Sequence, residues 1–178
     1  MKTILSIYTS KKLLPFLGKE FQKTTPKIDT EEINPLYLWY GDVYYFERKK
    51  YLIFCNELTR VSFMIGPYQV DQKVHFMKTF TDNLEKKLKS FLPDPNKYFE
   101  KMEDIGWNTK PHKGASGFIN HLKISLDYSK DYYNARNITM TLPEDFHRMF
   151  SMYITKKIGI KDYFYPETLF QEEWAKGK

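Results

Sequence analysis

The sequence contains a single cysteine, Cys55, among its 178 residues. An intrachain disulfide is therefore excluded, and so is a zinc site built from several thiolates. No apolar run approaches the 18 residues expected of a membrane-spanning helix. The apolar stretch at residues 4–8 is short, and Lys11 and Lys12 follow it closely, so it does not resemble a secretory signal. We expect a soluble cytoplasmic protein that makes no membrane contact.

The sequence also lacks any block of five like charges, although its formal net charge is +6. Residues 1–92 hold 15 Lys and Arg against 10 Asp and Glu, whereas residues 93–178 hold 13 against 12. A basic half favours an anionic partner through long-range attraction. Because the excess is small, it argues only weakly for nucleic acid. A protein partner and a nucleic-acid partner both stay open.

Aromatic residues are abundant, with 14 Phe and 14 Tyr, and 42% of the residues are hydrophobic. A chain of this length and composition can bury a substantial core. We expect residues 1–178 to form a single domain. If the chain has an internal boundary, the Pro-Asp-Pro sequence at residues 93–95 is its expected place.

Three runs rich in aromatic and β-branched residues lie between Tyr37 and Tyr68, separated by short polar breaks. This pattern predicts a three-stranded antiparallel meander. The middle run, residues 51–55, has no polar residue, so both of its faces should be covered, either by helices or by a second subunit in a homodimer. With a further strand predicted over residues 4–9, the sequence indicates an α+β fold. Its mainly antiparallel sheet of about four strands would be packed with several α-helices.

Helical periodicity and capping residues account for most of the remaining chain. The last long helix is predicted to start at a capping box of Thr141 and Glu144 and to end at Gly159. The other predicted helices span residues 10–17, 72–92, 96–103, 116–133 and 166–174, and the predicted loops span residues 23–35 and 106–114.

Several segments are similar to a known family. They are SKKLL at residues 10–14, the strand centred on Trp39, and FERKKYLIFCNELTRVSFMI at residues 46–65. The loop-to-helix segment at residues 110–120 and FYPETLF at residues 164–170 match in kind. With these features the chain resembles an uncharacterised bacterial domain of unknown function. The resemblance implies a small soluble bacterial protein and carries no activity, cofactor or catalytic residue.

The segment most typical of a ligand site is NTKPHKGASG at residues 108–117, directly before a predicted helix. Free backbone N–H groups at a helix start attract anions, and glycines let a phosphate approach closely. The spacing is not that of a P-loop, and a solvated loop with a serine cap is the alternative interpretation. The candidate anion-binding residues are Lys110, His112, Lys113, Gly114, Ser116 and Gly117.

A second candidate site is a basic patch on the meander. Nearby tyrosines at positions 40, 44, 45 and 51 would offer faces on which bases could stack. The alternative is that these charges simply solvate hairpin turns and protect a sheet edge. The candidate patch consists of Arg48, Lys49, Lys50 and Arg60.

Other constellations indicate little chemistry. Cys55 lies in the most apolar predicted strand, where a thiol behaves as a small core residue rather than a nucleophile. The four histidines, at positions 75, 112, 121 and 147, have no metal-binding spacing. We therefore expect no metal and no cofactor.

The leading hypothesis is a non-enzymatic binding or accessory module that recognises a macromolecular partner through an aromatic and basic surface. The alternative is a metal-independent enzyme acting on phosphate esters, such as a toxin-like ribonuclease. In that case Lys110, His112 or His75 would provide acid–base catalysis, and Arg48 or Arg60 would stabilise phosphate charge. A purely structural scaffold comes third.

Overall fold

The computed structural model describes residues 3–28, 33–109, 113–151, 153–156 and 161–177. The strands are β1 (Ile4–Thr9), β2 (Leu38–Phe46), β3 (Lys49–Asn56), β4 (Ser62–Ile65) and β5 (Asp104–Asn108). The helices are α1 (Lys19–Thr24), α2 (Phe76–Lys89), α3 (Asn96–Glu100), α4 (Lys113–Ala135), α5 (Glu144–Phe150) and α6 (Pro166–Lys176). Short 3₁₀ helices lie at Leu14–Phe16, Pro35–Tyr37 and Asp71–His75.

The strands form one sheet in the order β4-β3-β2-β1-β5. The pairs β2–β3 and β3–β4 are antiparallel, with Tyr44 opposite Tyr51 and Ile53 opposite Met64, so the predicted meander is confirmed. β1 joins the meander as predicted, but it runs parallel to both of its neighbours, β2 and β5. The α+β class is confirmed. The sheet is mixed and has five strands, rather than being mainly antiparallel with about four.

The parallel pairing of β1 with β2 follows from the chain between them. A parallel pair needs a crossover of a dozen residues or more, and residues 10–37 supply it, with α1 inside the crossover. The sequence pattern had placed only a short helix and a loop there. The helix predicted at residues 10–17 is reduced to the 3₁₀ turn at Leu14–Phe16, and the predicted loop begins within α1.

The fifth strand was missed because it is short and contains Gly106, which interrupts the hydrophobic alternation. A Cβ at this position would lie 1.8 Å from Cδ1 of Ile28, so the close approach of the neighbouring segment requires glycine. Lys27 forms a parallel bridge with Trp107 on the outer side of β5. The predicted loop at residues 106–114 therefore begins as a strand.

The helix predictions hold best where an apolar stripe is buried. α6 starts at Pro166 as expected, and α4 covers the predicted helix with three extra residues at its start and two at its end. α5 stops at Phe150, and Thr155 pairs with Phe164 where the helix was expected to continue. The carboxylate of Asp145, not Glu144, accepts the backbone N–H of Thr141. No helix in the described part of the chain is long and apolar enough to cross a membrane.

The sheet separates two hydrophobic cores. The first face packs Phe54 and Phe63 against α2, and α3 and α6 extend this core; the centroids of the Phe54 and Phe80 rings are 4.8 Å apart. The second face packs Ile53 and Cys55 against α4 and α5. Residues 51–55 are at most 3% exposed. The prediction that both faces of this strand are covered is confirmed, and helices cover them.

Candidate functional site

The predicted anion-binding segment is only partly within the described residues, since Lys110 and His112 lie outside them. Lys113, Gly114, Ser116 and Gly117 belong to the first turns of α4. The Ser116 hydroxyl donates to the carbonyl of Lys113, and the space beside Gly117 is open. Anion binding at this segment stays a prediction.

The first turn of α4 lies against Arg60, which the sequence pattern had assigned to the other candidate site. A Cβ on Gly114 would lie 2.6 Å from Nη2 of Arg60, so the glycine makes room for the guanidinium. Arg60 is only 4% exposed and donates through Nη1 to the carbonyl of Glu57. Its charge therefore lies inside the molecule, beside the positive end of a helix dipole, an arrangement that favours a neighbouring anion.

The proposed basic patch is divided by the length of β3. Arg48, Lys49 and Lys50 lie at the turn before or at the start of β3, whereas Arg60 follows its far end. Since a strand rises about 3.3 Å per residue, the two groups are separated by roughly 20 Å along the strand. The structure does not bring the four cations together at one end of the sheet.

The tyrosines proposed as stacking faces on the meander are mostly unavailable. Tyr40, Tyr44 and Tyr51 are buried on the second face of the sheet. Tyr45 is exposed. Expecting all four rings at the surface was wrong, because β2 and β3 contribute these aromatic side chains to the core beneath α4 and α5.

Cys55 is fully buried, and burial raises the pKa of its thiol to about 11, although the nearby Arg60 lowers it in part. Such a thiol is poorly suited to act as a nucleophile. Two histidines contact other elements: His121 hydrogen-bonds the hydroxyl of Tyr153, and His147 accepts the backbone N–H of Met64. His75 lies exposed at the start of α2. Within the described residues, no group of three or more potential ligands could hold a metal ion.

The most distinctive surface is the outward side of α4. Ile124, Tyr128 and Tyr132 follow one another at intervals of four residues, and their exposed fractions are 53%, 74% and 54%. Residues four apart lie above one another on a helix. We call this surface, with His121 at one end and Arg136 at the other, the α4 face. At 1.5 Å per residue, it is about 22 Å long.

At each end of the α4 face a nitrogen-containing side chain contacts a tyrosine ring. The guanidinium carbon of Arg136 lies 3.7 Å from the centroid of the Tyr132 ring. At the other end, the rings of His121 and Tyr153 have centroids 5.8 Å apart. Such contacts of a cation or an imidazole with an aromatic ring hold the side chains in defined positions.

The inward side of α4 is fixed to the sheet. It buries Ala115, Ile119, Leu122 and Leu126 in the second core. At the boundary of this core Lys123 forms an ion pair with Asp42, and the Tyr44 hydroxyl donates to Asp127 across 2.8 Å. Burial, followed by the hydrogen bond to Asp127, raises the pKa of Tyr44. The helix therefore presents its outer face from a rigid base.

The sequence contained a signal for this face that was not recognised. The spacing of residues 124, 128 and 132 was visible, but apolar residues at helical intervals are usually assigned to the core. Only the position of the helix on the sheet shows that Leu122 and Leu126 point inward while Ile124 and Tyr128 point to solvent.

Among the comparisons with known proteins, only the one with family models produced a match. No curated protein and no solved structure matches the chain. The predicted resemblance to an uncharacterised domain is confirmed by a family model that matches residues 6–169, from β1 into α6. The chain therefore belongs to the family described as Domain of unknown function (DUF6933).

Proposed function

We propose that the protein is a non-enzymatic binding module that recognises a partner protein through the α4 face. The observation that supports this proposal is the row of three large apolar side chains, each more than half exposed, on a helix whose opposite side is buried. Exposed Tyr and Arg are the residue types most enriched among the energetic anchors of protein interfaces.

The rigid attachment of α4 favours binding. Association costs free energy whenever a surface must be ordered first. Here the ion pair of Lys123 with Asp42 and the bond of Tyr44 to Asp127 already hold the helix on the sheet. Arg136 is likewise held over Tyr132 before any partner arrives.

The charges on α4 favour a protein partner over nucleic acid. Asp127 and Asp131 are exposed beside Tyr128 and Tyr132, while Lys130 lies on the same helix and Arg136 directly follows its end. A surface of mixed sign repels part of a polyphosphate backbone, whereas nucleic-acid interfaces are strongly positive.

The test compares two double variants of the tagged full-length protein. Ile124→Ser with Tyr128→Ser removes the centre of the α4 face. Val70→Ser with Val74→Ser removes two apolar residues elsewhere on the surface that are at least as exposed as Ile124 and Tyr128, respectively. Proteins and nucleic acids that co-purify from the native cell are identified, and the affinity of any recovered protein is then measured with purified components.

A partner that binds the wild type and the Val70/Val74 variant, but loses about tenfold or more in affinity for the Ile124/Tyr128 variant, supports the proposal. A dimer abolished by the same variant identifies the partner as a second copy of the chain. Equal binding by both variants, nucleic acid alone, or no partner at all would overturn the proposal.

The alternative function, hydrolysis of phosphate esters, is supported by one contact. Arg60 lies against Gly114 at the start of α4, where an anion would be stabilised. The catalytic groups proposed with it, Lys110 and His112, belong to the segment immediately before this helix. The test is cleavage of RNA by the wild-type protein and by His112→Ala. Cleavage that is lost in the variant would establish a ribonuclease activity, and no cleavage by the wild type would reject it.

A further inference from the structure

A second surface feature lies at the outer edge of the sheet, where β4 is the last strand. α2 comes from the first face and α5 from the second, and a cavity of about 230 Å³ lies between them. Among the described residues, every side chain that lines it is polar and none is acidic. The lining residues are Asn83, Lys86, Lys87, Ser90, His147 and Ser151.

The spacing along the two helices explains how these side chains meet. On the α2 side the lining residues are positions 83, 86 and 87 of the helix and Ser90, which directly follows it. Phe80, Leu84 and Leu88 bury the neighbouring side of the helix. His147 and Ser151 are four residues apart and project from the α5 side. The cavity thus has donors on two opposing walls.

The walls carry two positive charges. Lys87 forms an ion pair with Glu167 of α6, and its side chain is only 10% exposed. Lys86 has no ion pair within the described residues. Glu167 compensates the charge of Lys87, whereas the charge of Lys86 is left without a counter-ion in the described part of the chain. An anion in the cavity would compensate Lys86 and reduce its repulsion of Lys87.

His147 adds a neutral donor. Its Nε2 accepts the backbone N–H of Met64 across 3.0 Å, so the uncharged ring carries its proton on Nδ1. Burial, then the charges of Lys87 and Lys86, lowers the pKa of His147 to about 4, with Glu144 acting in the opposite direction. The amide of Asn83 donates one hydrogen to the carbonyl of Thr79 and keeps its second hydrogen for a ligand. The hydroxyls of Ser90 and Ser151 donate within their own helices, so towards a ligand they are acceptors.

We propose that this cavity binds a phosphate group, either the free ion or the monoester of a small metabolite. Drug-sized ligands occupy cavities of about 300–1,000 Å³, so the present volume suits a smaller molecule. The two lysines and the second amide hydrogen of Asn83 offer donors from the α2 wall, and the Nδ1–H of His147 offers one from the α5 wall. Such an arrangement fits the several acceptor oxygens of a tetrahedral phosphate. This site is separate from the α4 face.

The experiment measures binding of inorganic phosphate and of phenyl phosphate by calorimetry. Lys86→Gln is compared with Lys89→Gln, a matched change on the same helix at a lysine paired with Glu85 outside the cavity. We expect Lys86→Gln to weaken phosphate binding about tenfold and Lys89→Gln to change it less than twofold. Tighter binding of the ester identifies a metabolite, and tighter binding of the ion identifies free phosphate.

A second measurement separates specific binding from general attraction to a basic protein. The His147 ring is titrated by NMR with and without phosphate, and its signals are assigned with His147→Gln. A bound anion should raise the pKa of His147, because it counteracts the charges of Lys87 and Lys86 and acts in the same direction as Glu144. No phosphate binding, equal binding by both lysine variants, or an unchanged His147 titration would each overturn the proposal.

Discussion

The two faces of the sheet hold their helices in different ways. The first face has an aromatic centre whose hydrogen bonds join neutral groups: Trp39 Nε1 donates to the Tyr98 hydroxyl, which donates to the carbonyl of Leu36. Its one ion pair among the described residues that joins two helices, Lys87 with Glu167, lies at the margin, between α2 and α6. The second face surrounds its apolar centre with charged contacts, Asp42 to Lys123 and Tyr44 to Asp127. The first face therefore depends on dry packing. The second also uses polar bonds near solvent.

This difference indicates which parts of the molecule are free to form binding sites. A dry core places strict limits on every residue within it. The boundary contacts of α4 fix the helix from its inner side and leave its outer side unconstrained by packing. Both proposed sites lie where the dry packing ends: the α4 face on the outside of the second layer, and the phosphate cavity at the seam between the layers.

The largest expected effect is a loss of stability, and it can be compared between the two faces at neighbouring residues of β3. Phe54 packs on the first face with Phe63, Phe76 and Phe80, whereas Ile53 packs on the second. Phe54→Ala should lower the free energy of unfolding by about 3–5 kcal/mol and Ile53→Ala by about 2–4 kcal/mol. Urea denaturation measures both, with Tyr128→Ala as an exposed control expected to stay within about 0.5 kcal/mol. A greater loss for Ile53→Ala would contradict the ranking of the faces.

Much of this comparison could be predicted from the sequence. The absence of polar residues at positions 51–55 indicated that β3 is covered on both sides, and the polar breaks at residues 48–50 and 57–59 indicated its antiparallel neighbours. These features are local. Strand patterns, turn residues and the apolar stripes of helices can be recognised within short segments of sequence. They predict the meander and most of α2, α4 and α6.

The features that escaped prediction depend on contacts distant in sequence. The parallel pairing of β1 and the addition of β5 join segments about 30 and 100 residues apart. The separation of Arg48 from Arg60, and the meeting of Lys86 with His147, likewise follow from the folded arrangement. No short-range periodicity encodes these distances, so the candidate sites were less predictable than the elements that carry them.

A smaller effect compares two buried tyrosine hydroxyls. The Tyr98 hydroxyl accepts from Trp39 and donates to Leu36 inside the first core, so Tyr98→Phe leaves a buried donor and a buried carbonyl without this partner. The expected loss is about 1–3 kcal/mol. Tyr44→Phe should cost less, about 1 kcal/mol or below, because Asp127 is exposed and water can replace the hydroxyl. Thermal and urea unfolding measure both, and equal losses would show that the two faces do not differ in this respect.

The seam between the faces should respond to pH through His147. Burial and two lysines lower its pKa from 6.5 to about 4, so the unfolded chain binds this proton more readily than the folded one. Stability should therefore be greatest above pH 6.5 and fall as the pH decreases from 6.5 towards 4, by about 2–3 kcal/mol. His147→Gln, which keeps an acceptor for Met64, should flatten the profile in that window. His75→Gln, at an exposed histidine, should leave it unchanged; identical profiles for all three proteins would contradict the assignment.

The last comparison concerns the reactivity of a buried thiol rather than stability, and it tests how completely α4 and α5 close the second face. Cys55 lies within that core, and its thiol has a pKa raised to about 11, so little thiolate forms at pH 8. Labelling by a thiol reagent should require opening of the fold and proceed about a thousandfold more slowly than at an exposed cysteine, such as Lys78→Cys in a Cys55→Ala background. Its rate should rise with urea in parallel with unfolding. Rapid labelling without denaturant would mean that the charged boundary of the second face opens readily, and that a nucleophilic role for Cys55 must be considered again.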